Sequence, residues 1–199
     1  MEMKVFIENS RGLKLAGLVH RPEDDGKFSA VILLHGFTGY KEEKSIAVLA
    51  EELCSNGIVA IRFDTSGFGE SEGSLEKDYR LSNYKDDVGI IYDYIKGLDF
   101  VDPKKIGVFG HSMGGLLSII FAAEHSKITA VCPVSAPAQM GKSDLLKDAI
   151  KSWKESGYFE KLSSRYKKTI KIPFAFLEDA EKYNAFDYIS KITKPIFII

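Results

Sequence analysis

The chain of 199 residues predicts an α/β fold, a mostly parallel central sheet with helices on both faces. Two patterns predict it. Short, continuously apolar runs alternate with stretches whose apolar residues recur at helical spacing, as strands covered on both faces and joined by right-handed helical crossovers require. A glycine-rich turn, Gly110-His111-Ser112-Met113-Gly114, also falls where the run Ile106, Val108, Phe109 gives way to a helical pattern. Composition agrees: 45% apolar and 28% charged residues are an ordinary globular balance, and the length suits one sizeable core. The net charge is −1 without a long block of either sign, so neither nucleic acid nor a membrane surface is an expected partner. Met1 to Glu8 has no signal-like apolar core, and no later run approaches the ~20 apolar residues of a span, so a cytoplasmic protein is expected.

Taken in order, Lys4 to Asn9 and Leu13 to His20 are strand-like runs joined through Ser10-Arg11-Gly12, an antiparallel hairpin signal. Ala30 to Leu34 is apolar throughout and belongs at the centre of the sheet. Ile46, Leu49, Ala50 and Leu53 mark a helix over 42–55 that Asn56-Gly57 stops. Ile58 to Phe63 is the next buried strand, and it ends in a loop from Asp64 to Gly73 in which Asp64 is expected to accept the turn's own N–H groups. Tyr84, Val88, Ile91 and Ile95 share one face of a helix over 83–95, with Asp86 and Asp87 near its start, where acidic residues complement the helix dipole. Asp102-Pro103 is read as a break before the Ile106 strand. Leu116 to Phe121 continues the helix opened at Ser112, and Ile128 to Val134 is another strand.

From Ala138 the pattern changes. Polar, lysine-rich segments alternate with aromatics (Trp153, Phe159, Phe174, Phe176 and others), with a short strand expected over Thr169 to Ile172. This divides the chain into a core at 1–137, an insertion at 138–190 and a last buried core strand within 191–199. The insertion is expected to cover the carboxyl edge of the sheet and to line an apolar pocket beside Ser112, or else to use its aromatics simply as anchors. Cys54 and Cys132, with no Cys/His cluster, are read as buried thiols rather than a disulfide or a metal site.

The chemistry concentrates in two loops. A serine at a sharp strand-to-helix turn occupies a strained backbone conformation, needs small flanking residues (Gly110, Gly114, and here Gly115), and exposes its hydroxyl at a helix N-terminus. Ser112 is therefore the candidate nucleophile, against the plainer alternative of a helix-capping serine. His35-Gly36-Phe37-Thr38-Gly39 follows the central strand, where a loop of this architecture contributes one oxyanion-binding N–H and the residue after the nucleophile the other. The matching donors are Phe37 and Met113.

These residues carry a resemblance. His35 to Gly39, the Asp64 to Gly73 loop, Gly110 to Gly115 and the closing Lys194 to Ile199 run are similar to the α/β-hydrolase family, and most closely to its bacterial feruloyl and cinnamoyl esterases. The resemblance is collinear over nearly the whole chain and implies hydrolysis of a small-molecule carboxylic ester through an acyl-enzyme at Ser112, without metal or organic cofactor. It departs in one respect: the family's acid and histidine follow the strand at which this sequence stops. The four histidines lie in the second strand (His20), the oxyanion loop (His35), beside the nucleophile (His111) and at the far end of its helix (His125). None is placed to serve Ser112. The chain is thus expected to have little turnover by itself, to continue naturally by roughly 40 to 60 residues for a missing strand and its helices, and to self-associate through its incomplete sheet edge. A catalytically silent binding protein and an acyltransferase are the alternative readings.

Overall fold

The computed structural model describes residues 1–143 and 146–199. Strands β1 (Glu2–Glu8) and β2 (Lys14–His20) form the expected antiparallel hairpin. They join β3 (Phe28–Leu34), β4 (Ile58–Phe63), β5 (Val101–His111) and β6 (Ala130–Val134) in one six-stranded sheet of order β1-β2-β4-β3-β5-β6. The β4-β3-β5-β6 portion is parallel. β3 is central, and its Ile32, Leu33 and Leu34 expose no surface, which explains a run without a single polar residue.

Helix α1 (Lys44–Ser55) covers one face, with Ile46 and Ala50 against Leu33 and Ala60. On the other face, α2 (Leu81–Lys96) and α3 (Met113–Glu124) enclose the main core with Ile32, Leu34, Val108 and Val131. α3 is buried from Met113 to Ala122. A helix apolar on all sides must lie inside the fold.

Several expectations are corrected. Asp102-Pro103 does not break the strand: Val101 pairs with Phe28, a register shift follows, and Ile106 resumes opposite Ala30. A bulge accommodates a residue without an N–H. Asp86 and Asp87 lie past the first turn of α2, and Asp87 is fully buried, accepting hydrogen bonds from Asn9, Arg11, Thr65 and Ser66. It is the centre of a polar network rather than a partner of the helix dipole.

The final run does lie parallel to β6, with Val131 N–H bonded to Pro195 O and Phe197 N–H to Val131 O. It is not buried, however. Phe197, Ile198 and Ile199 are each at least 60% exposed.

The insertion contains α4 (Lys147–Ser156), a hairpin of β7 (Tyr158–Ser163) and β8 (Lys168–Pro173), α5 (Ala175–Ala180) and α6 (Phe186–Ile189). β8 answers to the expected short strand. Its partner β7 (Tyr-Phe-Glu-Lys-Leu-Ser) was not anticipated because its burial does not alternate. Cys54 and Cys132 are free and only partly buried.

Candidate active site

Ser112 stands between β5 and α3 at φ +54, ψ −119, a backbone region that costs a non-glycine residue about 1–3 kcal/mol. The surroundings hold it there. Its N–H donates to Val134 O at 2.8 Å, and its carbonyl accepts from Gly115 and Leu116 N–H at 2.8 and 3.1 Å. A Cβ on Gly110 would collide with the Gly114 carbonyl, and one on Gly114 with the Leu34 carbonyl. The flanking glycines are therefore steric requirements of the turn. The hydroxyl caps nothing, which removes the capping alternative. Among the described residues it has no hydrogen-bond partner.

The loop from His35 to Gly39 lies directly against this turn. A Cβ on Gly36 would stand 3.3 Å from Ser112 Cβ and 3.4 Å from His111 O, so the absence of a side chain at residue 36 permits the approach. Met113 N–H, at the first position of α3, and Phe37 N–H have no acceptor among the described residues, as donors reserved for a ligand would. An open cleft of about 530 Å³ joins Gly36, Phe37, His111 and Ser112 to Glu43, Lys44 and Ser45. The structure thus brings together Ser112, Phe37, Met113, Gly110, His111 and Gly114.

None of the insertion's described residues lines that cleft. Its aromatics close on the Phe37 side chain instead, with ring centroids at 4.8 Å for Phe176, 6.0 Å for Trp153 and 6.3 Å for Phe159. Of the two expectations for the insertion, this packing is of the anchoring kind: its aromatics hold the Phe37 ring of the loop after β3.

No histidine meets Ser112 Oγ among the described residues. His20 Nε2 accepts from Arg62 Nε at 2.9 Å. His35 is buried against Tyr84, its Nδ1 is 3.0 Å from Gly36 O, and its Nε2 has no partner. Burial holds its pKa below the ordinary value. His125 stacks on Phe121 at the end of α3. His111 is exposed and lines the cleft, with Nδ1 3.5 Å from where a Gly36 Cβ would be, but makes no hydrogen bond to Ser112.

Sequence reasoning missed three groups around the oxyanion loop. Thr38 sits at φ +60, an outlier for a β-branched residue. Its N–H donates to the buried Tyr79 hydroxyl at 2.8 Å, and its Oγ1 accepts from Lys161 Nζ of β7. No periodicity or motif marks such contacts, which join positions 41 and 123 residues apart.

A central parallel sheet and a serine on a strained strand-to-helix turn facing a glycine loop define an α/β-hydrolase. Residues 27–194 match the serine aminopeptidase, S33 family (Hydrolase_4), and the chain belongs to it. It is similar to Est1E of Butyrivibrio proteoclasticus, solved with ferulic acid bound, at 28% identity over 98% of this chain and 77% of that one, with a TM-score of 0.76. It is also similar to the uncharacterised protein YcjY of Escherichia coli strain K12, at 30% identity over 68% of this chain. Cutinase est1 of Thermobifida alba matches at 27% identity over 64% of it. The chain spans 46% of YcjY and 41% of est1. Among the described residues no helix is long and apolar enough to cross a membrane.

Proposed function

We infer that the site is that of a serine carboxylic-ester hydrolase in which Ser112 forms the acyl-enzyme. The observation that carries this reading is the strained Ser112 backbone set against Gly36 of the oxyanion loop, with the Ser112 hydroxyl, Phe37 N–H and Met113 N–H all uncommitted. Ser112 Oγ attacks the ester carbonyl carbon, its proton passes to a general base, and the oxyanion is held by the Phe37 and Met113 N–H groups beside the positive end of α3. Collapse expels the alcohol. Water then attacks the acyl carbonyl and releases the acid, restoring the serine. The base is a group other than the four histidines of this chain, none of which contacts Ser112. The likeness to Est1E, solved with ferulic acid bound, supports a hydroxycinnamate as the acyl part.

The same lack of a contacting histidine favours a second reading, a silent protein that binds an apolar ester without cleaving it. Intact-mass spectrometry with p-nitrophenyl acetate, with and without added imidazole as base, separates the two. One acetyl group on the wild type and none on Ser112→Ala is the expected result. No adduct under either condition, with methyl ferulate still bound in calorimetry, would establish the silent protein instead.

A further inference from the structure

We propose that Tyr79 and Lys161 are positioning residues that set the oxyanion loop from opposite sides of Thr38, so that seating of the β7–β8 hairpin and assembly of the oxyanion hole are one event. This rests on the esterase reading of Ser112. Thr38 immediately follows the donor Phe37, whose N–H lies in the Gly36–Phe37 peptide; holding the next peptide, Phe37 to Thr38, limits the backbone rotation at Phe37 that aims this donor. A β-branched residue at φ +60 keeps that conformation only when its surroundings impose it.

Three contacts impose it. From the core, Tyr79 Oη accepts the Thr38 N–H at 2.8 Å. From the insertion, Lys161 Nζ donates to Thr38 Oγ1 at 2.5 Å. That hydroxyl in turn donates to Phe37 O at 2.6 Å, passing the restraint to the peptide next to the donor.

The two sides are also joined to each other. The Tyr79 ring stacks on Phe176 at 4.9 Å with a 15° interplanar angle, and Phe176 packs on Phe37. Beyond Lys161, the hairpin is tied to the core by Arg165, 3.4 Å from Glu42 Oε2 and 3.3 Å from Glu70 Oε1, and by Tyr166 Oη donating to Gly69 O. Displacing the hairpin would therefore release Thr38 on one side and take Phe159 off the Phe37 ring.

The test measures fluorophosphonate labelling of Ser112 in imidazole buffer, where Oγ displaces fluoride from phosphorus, its proton goes to imidazole and negative charge develops on the phosphoryl oxygen. Binding of methyl ferulate, which develops no charge, is measured in parallel. Tyr79→Phe keeps the ring on Phe176 but removes the acceptor, and Lys161→Met removes the donor on an exposed strand, so it carries the test if the core variant does not fold. Each should slow labelling about tenfold, less than the loss of a whole oxyanion donor, while leaving methyl ferulate affinity and Trp153 fluorescence unchanged. Lys161→Arg should restore the rate. Labelling at the wild-type rate in both variants, or equal losses in labelling and binding, overturns the positioning role alone. A wild type that never labels at Ser112 overturns the esterase reading and the role that rests on it.

Discussion

Lys41 Nζ lies 2.9 Å from Asp64 Oδ2, and neither side chain exposes any surface. Asp64 Oδ1 accepts Lys41 N–H and Oδ2 accepts Glu70 N–H, while the Lys41 ammonium also reaches Glu70 at 2.7 Å. The pair therefore pins the segment before α1 to the loop after β4. Burial pulls the Lys41 pKa down, and Asp64 and Glu70 together more than offset it, leaving it above the ordinary value. Asp64→Ala leaves the buried ammonium with Glu70 as its remaining short partner and takes the acceptor from the Lys41 and Glu70 N–H groups, so it should destabilise the fold by less than the about 3–5 kcal/mol of a fully unpaired buried charge. Replacing both residues by apolar ones should cost less than either single change, and urea unfolding of the three variants checks the order.

Glu70 makes stability depend on acid. Hydrogen bonds from Lys41 and Lys4 lower its pKa from 4.5 to about 2. A carboxylate depressed in the fold contributes stability that is fully present above its unfolded pKa and is lost as pH falls toward the folded value. Thermal melting should fall between pH 4.5 and 2, and Glu70→Gln should flatten that part of the profile. A variant with the wild-type slope would assign the acid sensitivity to other groups.

His20 adds a window nearer neutrality. Burial, then Arg62, depresses its pKa below 6.5, so the folded state holds it neutral, with Nε2 accepting from Arg62. Its contribution is complete above pH 6.5 and diminishes below it. Titration followed by NMR should place its midpoint under that of an exposed histidine.

Strain at Ser112 should be measurable as stability. At φ +54, glycine relieves a cost that alanine does not. Ser112→Gly should be more stable than Ser112→Ala by about 1 kcal/mol or more, despite the greater backbone entropy of glycine. Equal melting temperatures would argue that the turn relaxes in solution.

The exposed run from Ile196 to Ile199 should govern association. Ile196, Phe197 and Ile199 border an apolar groove of about 450 Å³ beside Leu49 and Leu53 of α1, a surface that favours contact between copies. Sedimentation should show concentration-dependent association that Phe197→Lys reduces.

Much of this was legible in the order of residues. Apolar runs, a hairpin signal and helical spacing located the six sheet strands, because a strand covered on both faces is mostly apolar and a packing helix must repeat every 3.6 residues. Gly110, Ser112, Gly114 and the His35 to Gly39 loop were recognisable because glycines bracket each turn: only glycine fits where a Cβ would strike a carbonyl, that of Gly114 for Gly110 and that of Leu34 for Gly114. Asp64 was correctly read as an acceptor of its own loop's N–H groups, though nothing local pointed to Lys41.

Contacts made at long range were decided by the tertiary structure alone. Tyr79 and Lys161 meet at Thr38, and the aromatics of the insertion close on Phe37 rather than lining the cleft. Asp87, placed by pattern as a helix-dipole partner, instead gathers Asn9, Arg11, Thr65 and Ser66. The physical reason is common to all three. Periodicity encodes which side of an element is buried, whereas the partner of a buried polar group or ring depends on which distant segments packing brings within hydrogen-bond distance, and that is set only when the layers close.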